Sequence, residues 1–271
     1  MPFSKIYDSD NRDFCLYLTI TITDKSPVKR FRVWAEDRGR VNSKYADREI
    51  EVCDQNGKGV RKIYFSFPVS PKQLFIGCVN VNEPKDNGYT VDLMEAPLIT
   101  YNADISAQTN RFLRMATHFS QVCGFEDGSE IGRVFRTNPP EFVIKYFPVI
   151  RNRLTGEALN TPARIGHETG IIEVAKCKFD NYTVAMRMMI LLHEYCHKYR
   201  NPKVGLEISN EKGADINALY IYLSLGWSPV DAICVLGKVF LGAQTQGNIE
   251  RLRLVNDYVS RFLNEEFASK N

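Results

Sequence analysis

The hydrophobic period of this chain changes once, near residue 100, and that change limits what it can fold into more than any other feature. Before it, "FCLYLTITIT", "VKRFRVWAE", "REIEVC", "VRKIYFSFPVS" and "KQLFIGCVNVN" are rich in β-branched and aromatic residues and alternate in places, the mark of half-buried strands. The clusters "DKSP", "DQNGKG" and "NEPKDNG" separate them as turns. After it, Phe112, Met115, Ala116, Phe119, Val122 and Cys123 fall at helical spacing before Gly124. The expected fold class is α+β, with an antiparallel β domain over residues 1–101 and a helix-rich domain with a small sheet over residues 102–271.

Within the second domain, "EFVIKYFPVI" reads as a strand, "RNRLTGEALNTPARIGHETG" as an exposed loop and "IIEVAKC" as a second short strand. Helices are expected over roughly 182–200, 209–225, 229–241 and 246–267. The third opens on Ser228, Pro229 and Asp231, which supply an N-cap, a first-turn proline and an acid at the third helical position.

Composition removes several classes. Thirty-five basic against thirty-two acidic residues leave +3 with no dense basic block, so nucleic acid is not an expected partner. No apolar run approaches the roughly 18 residues of a membrane span, and the polar start "MPFSKIYDSDNRD" does not read as a signal peptide. The expected location is the cytoplasm, or a particle assembled there, with no membrane partner. Seven scattered cysteines without close pairs fit reduced thiols rather than a disulfide framework or a cysteine metal cluster.

The chemistry gathers in "ILLHEYCHKYRNP", residues 190–202. At 100° per residue His193 and His197 lie about 40° apart on one helix face, so both imidazoles reach a single ion. Glu194 stands about 100° round from His193, the place for a general base that takes a proton from metal-bound water. Val184, Met188, Met189, Ile190, Leu191, Leu192, Tyr195 and Tyr199 make the helix apolar nearly all round. Such a helix is buried, where two histidines and an acid need partners that a metal site supplies. A catalytic zinc takes three protein ligands and leaves one position open. Glu211 is the expected third ligand, with Asp215 and Glu207 as alternatives, and Asp215 is placed to accept a hydrogen bond from a ligand histidine. Pro202 and Gly205 turn the chain between the two helices. Cys196 projects about 60° from His193 and about 100° from His197, and reads as packing rather than a ligand. His118 and His167 read as ordinary surface or core residues, and Tyr222 and Tyr182 as candidate oxyanion stabilisers.

His193-Glu194-Tyr195-Cys196-His197, then Asn210-Glu211 and Ala214-Asp215, resembles the gluzincin metallopeptidases, in their compact minigluzincin form above all. Similar domains occur in bacterial and phage proteins. The resemblance covers about residues 140–240. It implies a zincin-like domain with Zn2+ on His193, His197 and Glu211, and Glu194 as base. It also implies a small sheet whose edge strand holds a peptide antiparallel, with "GIIEVAK" as the candidate strand. The expected partner is a protein or peptide substrate, and the β domain would recognise it or dock the chain to a larger assembly.

A second reading makes the chain a structural or assembly protein, for example a virion component of a phage, that keeps the fold as a scaffold. A third makes it a regulatory domain that senses a ligand at the metal. Glu194 argues against a purely structural site, which needs no base and closes all four positions.

Overall fold

A computed structural model describes residues 2–24, 28–53, 59–101, 104–199, 204, 210–240 and 245–268. The chain is α+β and divides into two compact units, Met1–Ile99 and Thr100–Asn271.

The first unit is all strand: β1 (Phe3–Asp8), β2 (Phe14–Ile22), β3 (Val28–Glu36), β4 (Lys44–Cys53), β5 (Val60–Phe67), β6 (Gln73–Asn80) and β7 (Tyr89–Ala96). They form two antiparallel sheets, β1-β6-β3-β4 and β5-β2-β7. Alternation decides which face is buried: Phe31, Val33 and Ala35 of β3, and Leu16, Leu18 and Ile20 of β2, all turn inward. Phe31 meets Tyr89 of the other sheet edge-on, with centroids 4.8 Å apart. Gly77 sits opposite Trp34, and a Cβ there would lie 2.2 Å from the indole, so only glycine admits the ring. The sequence reading missed β1 and β7. Both are edge strands: β1 is largely exposed, and β7 is interrupted by Asp92 and Glu95. The centres of "DKSP" and "DQNGKG" lie outside the described residues.

The second unit holds α1 (Ala107–Val122), β8 (Arg133–Arg136), β9 (Val143–Phe147), β10 (Ala163–Ile165), β11 (Ile172–Ala175), α2 (Lys176–Phe179), α3 (Val184–Cys196), α4 (Glu211–Ser224), α5 (Pro229–Phe240) and α6 (Gln246–Ala268). Its sheet runs β10-β11-β9-β8, antiparallel except for the β9/β11 pair. Helix α3 is central and packs on α1, α4, α5, β10 and β11. All its residues are buried except His193 and Glu194. The apolar surround predicted from the sequence therefore forms, with Arg187 buried in it by donating to the Phe179 and Ser120 carbonyls, and His193 and Glu194 line a cleft.

Three expectations change here. Helix α3 is shorter than 182–200: Thr183 caps it by accepting a hydrogen bond from the Met186 amide, which leaves Tyr182 outside, and His197 is its C-cap. Arg200, Pro202, Gly205 and Glu207 lie outside the described residues. The segment expected to be loop contains β10. That makes β11 an interior strand, buried throughout and paired on both sides, so "GIIEVAK" is not the sheet edge; β10 is. No helix among the described residues is long and apolar enough to cross a membrane.

Candidate metal centre

Aromatic packing sets the roll of α3. Tyr195, on the side away from the histidines, stacks on Phe112 of α1 at 4.2 Å, and its hydroxyl is 3.0 Å from Thr109 Oγ1. With that face fixed, His193 and His197 point into a cleft of about 430 Å³. Helix α4 starts beside it. Asn210 caps the helix by accepting from the Gly213 amide at 2.7 Å, which puts Glu211 in the first helical position.

The three side chains converge. Nε2 of His193 and Nε2 of His197 are 3.0 Å apart. Glu211 Oε2 is 3.4 Å from the first and Oε1 is 3.6 Å from the second. A tetrahedral ion with ligands at 2.0–2.1 Å holds them about 3.3–3.4 Å from one another; the nitrogens lie 3.0 Å apart and a different Glu211 oxygen is nearest each, so binding would part the imidazoles slightly and bring one carboxylate oxygen towards both. Among the described residues these three form the group able to hold a metal. Two imidazoles and one carboxylate suit zinc, while the same donors accept other divalent ions.

Behind the cluster, Asp215 is completely buried, with Oδ1 2.9 Å from His193 Nδ1. A carboxylate at that nitrogen keeps the proton on Nδ1 and leaves the Nε2 lone pair for an ion. His197 Nδ1 is buried with no hydrogen-bond partner among the described residues. Arg251 of α6, which the sequence reading missed, closes the back of the site. Its Nε is 2.8 Å from Asp215 Oδ2, and its terminal nitrogen is 3.1 Å from Asp215 Oδ1 and 2.7 Å from Glu211 Oε2. The signal was in the sequence: Arg251 heads the stripe Val255, Val259, Phe262, the buried face of α6.

The electrostatics follow from these contacts. Burial disfavours a charged His193, but Asp215 and Glu211 outweigh it and raise the imidazole to about 10. Burial and the charge on His193 together lower His197 to about 4. The hydrogen bond from His193, against burial and with help from Arg251, holds Glu211 at about 2. Burial raises Glu194 above the ordinary carboxylate range, with His193 opposing.

The other predicted residues are placed as follows. Glu194 lines the cleft. Cys196 is fully buried, outside the ligand group, and burial pushes its thiol far up. Neither tyrosine lines the cleft. Tyr222 is buried and stacked on Trp227 at 5.5 Å, and Tyr182 packs on Phe179 outside α3. His167, taken for an ordinary residue, instead stands at the cleft, its ring 6.1 Å from that of His197. Lys198 holds its loop by donating to the carbonyls of His167 and Glu168 at 3.0 and 2.7 Å. His118 lies on α1 beside a separate recess.

Set against known protein families, curated proteins and solved structures, the chain finds no match. What the site can do follows from its own residues.

Proposed function

We propose that this chain is a zinc-dependent metallopeptidase of gluzincin type. The observation that carries the reading is the convergence of two Nε2 atoms and one carboxylate on one point, with an ionisable Glu194 in the same cleft. A bound divalent ion would supply Lewis acidity, polarising a peptide carbonyl and making a water molecule easier to deprotonate. Glu194 takes the proton from the attacking water and passes it to the leaving amine. Its raised affinity for protons suits that double duty. Asp215 fixes the tautomer of His193. Strand β10, at the sheet edge and along the cleft, offers backbone groups to an extended peptide. Met189, Ile190, Val235, Leu236 and Val239 give the cleft an apolar wall for a side chain. His167, unlike Tyr182 and Tyr222, lines the cleft and is our choice of oxyanion donor, its ring 6.1 Å from that of His197. The first unit recognises the substrate or docks the chain to a larger assembly.

The test is metal content by elemental mass spectrometry, with wild type beside His193→Ala and Glu194→Gln. The expected result is about one zinc per chain in wild type and Glu194→Gln, and none in His193→Ala. Cleavage of a peptide pool by wild type but not by Glu194→Gln would then establish the reaction. A folded wild-type protein that takes up no metal would end this reading.

A further inference from the structure

Arg251 bonds both carboxylates that touch the two histidines, and it comes from an element that carries no ligand. Its side chain is 10% exposed, and that of Asp215 is fully buried. With both Nε and a terminal nitrogen on Asp215 and the terminal nitrogen also on Glu211, the guanidinium ties together two acids a helical turn apart. An ordinary buried ion pair needs one acid for one base. Here Glu211 is 55% exposed, and Arg251 adds a third contact to the two its carboxylate makes with His193 and His197. We infer that Arg251 is the positioning residue of the metal centre: it fixes the Glu211 carboxylate against the histidine pair and holds Asp215 on His193, so that a ligand site on α3 and α4 is completed by α6. This rests on the metal-site reading above and adds a residue and a helix to it.

Lysine cannot replace that geometry, because one ammonium has no planar fork. Outer partners of metal ligands typically account for about 10–100-fold in metal affinity. The experiment measures zinc affinity by competition with a chromophoric chelator, for wild type, Arg251→Met, Arg251→Lys and Lys212→Ala, each checked for native circular dichroism. Lys212 ties α4 to α6 through Glu250 at 2.9 Å on the exposed side, so its variant loosens the same helix pair without touching the site. The expected result is about a 10–100-fold loss in Arg251→Met, a smaller loss in Arg251→Lys and none in Lys212→Ala. A purely structural role would lower the melting temperature of the metal-free protein and leave the affinity of the folded protein unchanged. Wild-type affinity in folded Arg251→Met overturns the inference alone, as does an equal loss in Lys212→Ala. Should Arg251→Met not fold, Arg251→Lys decides, and wild-type affinity in it overturns the inference. No zinc uptake by wild type overturns both this inference and the metal site.

Discussion

His193 and His197 face each other through their Nε2 atoms at 3.0 Å, while Asp215 Oδ1 stands 2.9 Å from the far nitrogen of His193. Two charged imidazoles could not sit this way, and the opposite displacements of the pair, His193 up to about 10 and His197 down to about 4, favour a single proton shared by the two at neutral pH.

A metal ion entering this site must displace that proton. Uptake at pH 7 is therefore expected to release about one proton, and affinity to rise about tenfold per pH unit, levelling off towards about 10 as His193 loses its proton unaided. Calorimetry in buffers of different ionisation enthalpy counts the proton. Binding without proton release would mean that the pair is neutral before the ion arrives.

Glu194 must be ionised to act as a base, and burial raises it above the ordinary glutamate range. Peptide cleavage by the zinc-loaded protein should rise with pH through a midpoint higher than that of a solvated glutamate. Glu194→Gln should keep its zinc and lose about 10²–10⁴-fold in rate. A variant that cleaves at the wild-type rate would remove Glu194 from the role.

The cap of α4 tests how Glu211 is aimed. Replacing Asn210 by alanine leaves the Gly213 amide without its acceptor and should cost about 1 kcal/mol. The fraying begins at Glu211, the proposed ligand, so zinc affinity should weaken with stability, and Asn210→Asp should restore both. Lost stability with undiminished affinity would show that Arg251, not the helix start, sets the carboxylate.

The parts of this site that were legible in the sequence are those that depend on local spacing. His193 and His197, or Glu211 and Asp215, share a helix face by arithmetic alone. The two strand-rich sheets were legible where alternation was strong, as in β2 and β3, and not where an exposed edge relaxes it, as in β1. Strand β10 is three residues long, too short for any period, and is ordered by its pairing with β11. Arg251 meets Asp215 across 36 residues of chain; its place on the apolar stripe hints at a buried partner without naming one. His167 depends on where a loop is pinned by Lys198, which no pattern records.

Lys29 offers a test of the first unit by itself. It lies on the inward face of β3 with Phe31 and Val33, 4% exposed, and its ammonium is 2.6 Å from Asp86 and 2.5 Å from the more exposed Asp24. Burial would lift the Asp86 carboxyl, but Lys29, Asn80 and the Gly88 amide outweigh it and hold it at about 2. A carboxyl lowered on folding stabilises above its unfolded value of 3.8, and that stabilisation is lost as pH falls towards 2. Asp86→Asn should therefore lower stability at neutral pH by about 3 kcal/mol, through a buried cation left with one exposed partner. It should also flatten the fall of stability between about pH 4 and pH 2. Trp34 in this unit reports the transition once Trp227→Phe has silenced the other tryptophan. Were the acid transition of Asp86→Asn to match that of its parent, the pair with Lys29 would not be what acid breaks.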